Sequence, residues 1–169
     1  METTGLKKET CRIIAIGCKA NEEIKVFMHE EEKQLLQDFW DYVDKVEPDR
    51  FVGFNNHLFD DPFLFHRTIH AGVDSGFPLL SYSKSVDLRS LLTVFQKRVY
   101  GKNFSPGKLP EFCKSLDIQV DCDECMGDKM PGLWANRKEH PENLDEIREH
   151  AYRDIQRTHE LYMKVRRFL

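Results

Sequence analysis

Apolar and polar positions divide the chain into alternating strands and helices. Residues 11–18 are an almost continuous apolar run and read as a buried strand. Residues 23–28 alternate, with Ile24, Val26 and Met28 on one face, and Asn21 and Glu22 turn the chain between the two, which predicts an antiparallel hairpin. Within residues 30–46, Leu35, Leu36, Phe39, Trp40, Val43 and Val46 recur at helical spacing until Pro48 stops the helix. A third strand spans 50–54. A helix starting around Pro62 carries Phe63, Leu64, Arg67 and Ile69 and ends near Gly72. After a loop rich in Gly, Ser and Pro, Val86, Asp87 and Leu88 form a short strand or strand end, and 88–100 reads as a helix. A short helix follows over 108–116, with Pro110 in its first turn, and then a polar surface loop over 117–142. The last helix opens at Asn143, with Glu146 three residues on as a capping box, and Leu144, Ile147, Ala151, Ile155, Thr158, Leu161 and Tyr162 trace its buried stripe.

This order is α/β. A chain of 169 residues, 40% of them hydrophobic, predicts one domain around a single core. No apolar run is long enough to span a bilayer and the N-terminus lacks a signal pattern, so a soluble, cytoplasmic protein is expected, with no membrane partner. Five cysteines, an odd number without framework spacing, fit a reducing compartment. The net charge of −4 argues against a broad basic surface, yet permits an enzyme that holds phosphates through bound cations. Lys97, Arg98, Lys102 and Lys108 cluster, as do Lys164, Arg166 and Arg167; a solvated face explains them as well as phosphate contact does.

Candidate chemistry centres on carboxylates. Asp60 and Asp61 lie where a strand has ended and a helix begins, against Pro62. One carboxylate there is explained as a cap on orphan N–H groups; a second asks for another role. Asp154 lies on the inner stripe of the last helix, where a carboxylate needs a partner or a metal. His150, one turn earlier, or an arginine from elsewhere is the alternative partner. With Glu2 at another strand-to-turn junction, three acidic groups from distant parts of the chain meet at one edge of a sheet in this reading. Carboxylates without Cys or several His make a hard oxygen site suited to two Mg²⁺ or Mn²⁺ ions.

Three segments carry a family resemblance. The opening Met-Glu-Thr-Thr-Gly-Leu resembles the tail of the first motif, Asp-x-Glu-Thr-Thr-Gly-Leu, of the DEDD group of 3′–5′ exonucleases. Gly-Phe-Asn-Asn-His-Leu-Phe-Asp-Asp-Pro-Phe-Leu, residues 53–64, resembles the second, and residues 150–162 resemble the third. The closest likeness is to stand-alone domains related to the exonuclease domain of family B DNA polymerases. The resemblance implies a ribonuclease H-like mixed β-sheet of strand order 3-2-1-4-5 flanked by helices. Its strand 1, which leads to the first motif, is truncated at the N-terminus. It implies that Glu2, Asp60 and Asp154 are metal ligands, that Thr3 and Leu6 adjoin the terminal nucleotide, and that Asn55, Asn56 and Phe59 belong to the substrate-binding wall. The first Asp of the motif falls one residue before Met1, so the chain as written is expected to be a weak nuclease that an upstream segment ending in Asp restores. His150 stands where a tyrosine is expected, four residues before Asp154, as a general base or as that carboxylate's partner.

The expected activity is therefore metal-dependent hydrolysis at single-stranded 3′ ends of DNA or RNA. The alternative is a catalytically silent nucleic-acid-binding or interaction module on the same fold. A third reading is a zinc module built on Cys122 and Cys125. A structural zinc site takes four ligands, and no second pair accompanies this one. Metal analysis of protein purified without added zinc tests this directly: Cys122→Ser is expected to leave the metal content unchanged, and loss of an equivalent of zinc would establish the module.

Overall fold

A computed structural model describes residues 11–75, 77, 78, 84–100, 107–119 and 126–169. Glu2, Thr3, Leu6, Lys102, Cys122 and Cys125 lie outside these. The hairpin is present as β1 (Ile16–Ala20) and β2 (Glu23–Phe27), antiparallel, with Ile16 opposite Phe27 and Ala20 opposite Glu23. Asn21 makes the turn with φ of 54°, a left-handed conformation that asparagine tolerates. The first strand is shorter than the apolar run suggested. Among the described residues, 11–15 pair with no strand, and the backbone N–H of Ile13 donates to Glu32 Oε1 at 2.6 Å.

The helix α1 (Glu32–Val46) buries Leu35, Leu36, Phe39, Trp40 and Val43, the positions that helical spacing selects. After it, β3 (Phe51–Gly53) pairs in parallel with β4 (Ser85–Asp87), and α2 (Asp60–Ala71) makes the crossover between them. Gly72 closes α2 with φ of 62°, where a side chain would be strained, and its N–H returns to the carbonyls of Thr68 and Ile69. Then come α3 (Leu88–Tyr100), α4 (Leu109–Ser115), α5 (Met130–Ala135) and α6 (Asn143–Val165).

Two expectations need correction here. Part of the stretch 117–142 is helical: a 3₁₀ turn at Met126–Lys129 leads into α5, which has a proline in its first turn. Trp134 of α5 is buried, and the guanidinium groups of Arg12 and Arg137 lie over its ring at 5.2 and 4.1 Å. Arg137 also forms a bidentate pair with Glu30, so this segment is clamped to the start of α1. The second correction concerns Asn143, which caps nothing. It is already inside α6, and its Nδ2 donates 3.1 Å to the carbonyl of Leu133.

The strands separate two groups of buried side chains. Ile13, Leu35, Leu36, Phe39, Trp40, Val43 and Val73 form the first, joined by Ile16, Cys18, Phe27 and Phe51. Leu88, Phe112, Cys113, Ile118, Leu161 and Val165 form the second, joined by Val52, Phe54 and Val86. Successive residues of β3, Phe51 and Val52, thus point to opposite layers, as the pleat of a strand requires. Burial pushes the thiols of Cys18 and Cys113 up to about 11, which makes both poor nucleophiles. No helix of the described residues is long and apolar enough to cross a membrane.

α6 packs across both strands of the hairpin. The approach is close at Gly17, where a Cβ would stand 2.9 Å from Ile155 Cγ1 and 3.3 Å from the carbonyl oxygen of Ala151. Gly17→Ala is therefore expected to destabilise the fold by about 1–3 kcal/mol, the range for overpacking a core. In a double-mutant cycle read by urea denaturation, Ile155→Ala should recover part of that loss; strict additivity would show that the contact is not the cause.

Candidate acidic site

The β3–α2 turn is built around two buried aspartates, and the sequence reading nominated neither as a ligand. Asp61, 7% exposed, accepts hydrogen bonds at Oδ2 from Asn56 Nδ2 (3.0 Å) and Ser85 Oγ (2.5 Å). The Asn56 amide also donates to Ser85 Oγ at 2.9 Å, so α2, the turn and β4 share one polar knot. Gly53 makes room for it, since a Cβ there would lie 2.7 Å from Asn56 Cγ. His57 Nε2 adds contacts of 3.0 and 3.2 Å to the Ser85 carbonyl and hydroxyl.

Asp87, 2% exposed, stands immediately before α3 and behaves as its cap. Its Oδ1 accepts from the N–H of Arg89 at 2.9 Å, and its Oδ2 from Ser90 Oγ at 2.9 Å. The same Oδ1 takes the N–H of Asn55 at 2.8 Å, across from β4 to the turn. Asn55 has φ of 66°, and its side-chain oxygen accepts from Arg89 Nη1 at 2.8 Å. The turn signal was legible, because Asn is a residue that tolerates this conformation. The second function of Asp87 was not, since it joins residues more than thirty positions apart.

The expected site residues therefore fall in different surroundings. Asn56 is buried and engaged with Asp61 and Ser85, whereas Phe59 keeps 47% of its surface exposed and stacks on Phe63 at 6.4 Å. Asp60 begins α2 and is exposed, on the outer side of the turn that Asp61 anchors. Its carboxyl is pushed up to about 6, first by loss of surrounding water and then by the charge of Asp61, with Asp87 and Asp154 adding to it. A backbone hydrogen bond opposes the shift, and solvent at the exposed residue offsets part of the desolvation. Asp154, partly buried on α6, has His150 Nε2 at 3.4 Å from Oδ2 and Arg157 Nη1 at 3.6 Å from Oδ1. The histidine one turn earlier is thus beside it, while the arginine comes not from elsewhere in the chain but from three residues on along the same helix. Among the described residues no three His, Cys, Asp or Glu side chains are close enough to hold a metal ion.

The sign of the Asp60 shift gives a measurable consequence. A carboxyl raised from 3.8 to about 6 is easier to protonate in the folded chain than in the unfolded one. Its ionisation therefore destabilises the fold progressively as pH rises across that window, and the penalty is constant above it. In chelator-treated protein, Asp60→Asn should gain stability relative to the parent as pH rises from 4 to about 6.5, with no further gain at higher pH. Urea midpoints across this range measure the difference, and a difference independent of pH would refute the crowding of charge.

The comparisons with known proteins agree with this architecture. The RNase H superfamily model matches residues 1–166. An uncharacterized protein of Methanocaldococcus jannaschii is 36% identical over 165 residues, covering 96% of this chain and 90% of its own length. The DNA polymerase delta catalytic subunits of Candida albicans and Glycine max are 31% and 30% identical over 46% and 50% of this chain. Those alignments span only 7% and 8% of the polymerases themselves. By the extent of the family match, the chain belongs to the RNase H superfamily.

Proposed function

We propose that the chain is a metal-dependent 3′–5′ exonuclease that hydrolyses phosphodiester bonds at single-stranded ends of DNA or RNA. The observation that carries this reading is the convergence of acidic charge on Asp60, whose carboxyl is pushed up to about 6 first by loss of surrounding water and then by the charges of Asp61, Asp87 and Asp154. A divalent cation relieves the same repulsion that the proton relieves. The donors are carboxylate oxygens on a solvent-exposed residue, which suits hard cations such as Mg²⁺ or Mn²⁺. When bound, a pair of these ions supplies activation of water and neutralises charge on the leaving oxygen.

In this reading Asp60 and Asp154, with Glu2, hold the cations. Asp61 and Asp87 fix the turn that presents Asp60. The exposed ring of Phe59 offers a base a stacking surface, Asn55 and Asn56 contribute to the same wall, and Thr3 and Leu6 are assigned to contact with the terminal nucleotide. His150 orients Asp154 and is placed to accept a proton. We also infer the sheet order 3-2-1-4-5. In that numbering the hairpin β1–β2 supplies strands 2 and 3, and β3 and β4 supply strands 4 and 5.

One observation favours the silent module instead: Asp154 already has His150 and the guanidinium of Arg157 as neighbours, which compete with a metal ion. Degradation of labelled single strands in Mn²⁺ separates the readings. Asp60→Ala and Asp154→Ala should each lower the rate on the order of a hundredfold or more. Products should be mononucleotides released from the 3′ end. Strand binding without degradation by the parent protein, unchanged in both variants, would select the silent module.

A further inference from the structure

At the far end of α2 from Asp60, two histidines occupy one face. His66 and His70 are four residues apart, which sets them about 6 Å apart along the helix axis and nearly in line. Their rings are stacked with centroids 6.3 Å apart and planes 5° from parallel. Both residues are exposed, and among the described residues neither imidazole has a hydrogen-bond or ion-pair partner. By contrast Arg67, between them in sequence, is buried and committed to Glu32.

We propose that His66 and His70 form a bidentate site for a late transition-metal ion, Ni²⁺, Cu²⁺ or Zn²⁺. Imidazole nitrogen is a borderline donor that these ions prefer and Mg²⁺ does not, so the site is chemically separate from the carboxylates around Asp60. Metal–nitrogen bonds are about 2.0–2.1 Å, and small rotations of two exposed side chains bring one nitrogen of each ring to a common centre. The helix axis adds to this. His70 lies in the last turn of α2, where the carbonyl end of the helix dipole favours a cation. Two protein donors leave the remaining coordination positions open to water or to a donor from outside the chain. Chelation also ties residue 66 to residue 70, which holds the final turn of α2 in helical form up to its Gly72 cap.

The test uses the untagged full chain carrying Cys122→Ser and Cys125→Ser, stripped of metal with chelator, so that the cysteine pair does not compete. Titration with Ni²⁺ in a calorimeter, in excess Mg²⁺ to occupy the carboxylates around Asp60, is expected to show one equivalent bound with an affinity that depends on both histidines. His66→Ala and His70→Ala should each weaken that binding on the order of tenfold or more, while His140→Ala leaves it unchanged. Substoichiometric Ni²⁺ should broaden the imidazole proton resonances of His66 and His70 before those of other histidines. Alanine is a strong helix former at both exposed positions, so both variants should remain folded, which circular dichroism checks. Equal Ni²⁺ affinity in the parent and both variants, or no binding by the parent, overturns the site.

Discussion

The buried carboxylate of Asp61 is the constraint on which the rest of the acidic site depends. Removing a carboxylate from water is expensive unless its oxygens are satisfied, and here a hydroxyl from β4 and an amide from the turn both donate to the same oxygen. That requirement holds the start of α2 against β4. It also decides the fate of the preceding residue. Consecutive side chains on a helix are separated by about 100°, so once Asp61 points inward Asp60 is directed elsewhere, here to solvent. The doubled aspartate is thus one structural and one accessible carboxylate, and neither role is available to the other.

Asp87 applies the same logic from the other side. A single oxygen accepts the N–H groups of both Asn55 and Arg89, so the turn after β3 and the start of α3 are held to one atom. Those N–H groups are what a helix start and a left-handed residue leave unpaired. Satisfying them with a buried charge places three aspartates, 60, 61 and 87, near one another, and α6 brings Asp154 within electrostatic range. The charge on Asp60 is raised in energy first by loss of surrounding water and then by the carboxylates that position it. Arg157 counters the negative charge at Asp154, and His150 stands beside the same carboxylate.

Much of this fold was legible from periodicity. Leu35, Leu36, Phe39, Trp40 and Val43 locate α1 because its buried face repeats with the helical turn. The alternation from 23 to 28 likewise locates β2, one residue longer than observed. What was not legible depends on contacts between distant residues. Residues 11–15 have the composition of a strand, yet the N–H of Ile13 goes to a glutamate on α1. The helix α5 is too short, and too rich in Met, Pro and Gly, to show a repeat, and it is held by arginines at 12 and 137. Asp60 and Asp154 were nominated from position and motif, whereas the burial of Asn56 follows from a glycine three residues earlier and a serine twenty-nine residues later.

The helix α2 shows how one element serves several demands at once. Its inward residues, Asp61, Arg67 and Thr68, are polar, and each is matched: Asp61 by Asn56 and Ser85, Arg67 by Glu32, and Thr68 by the indole N–H of Trp40 at 2.9 Å. Such pairings are directional, so they set the rotation and axial position of the helix more strictly than apolar packing alone. The outward residues then inherit fixed places. Asp60 falls at the N-terminal end, where the helix dipole favours negative charge, and His70 at the C-terminal end, where it favours positive charge. Hard-oxygen and imidazole chemistry are thereby separated along one rigid axis, and a change in the buried pairs would move both together.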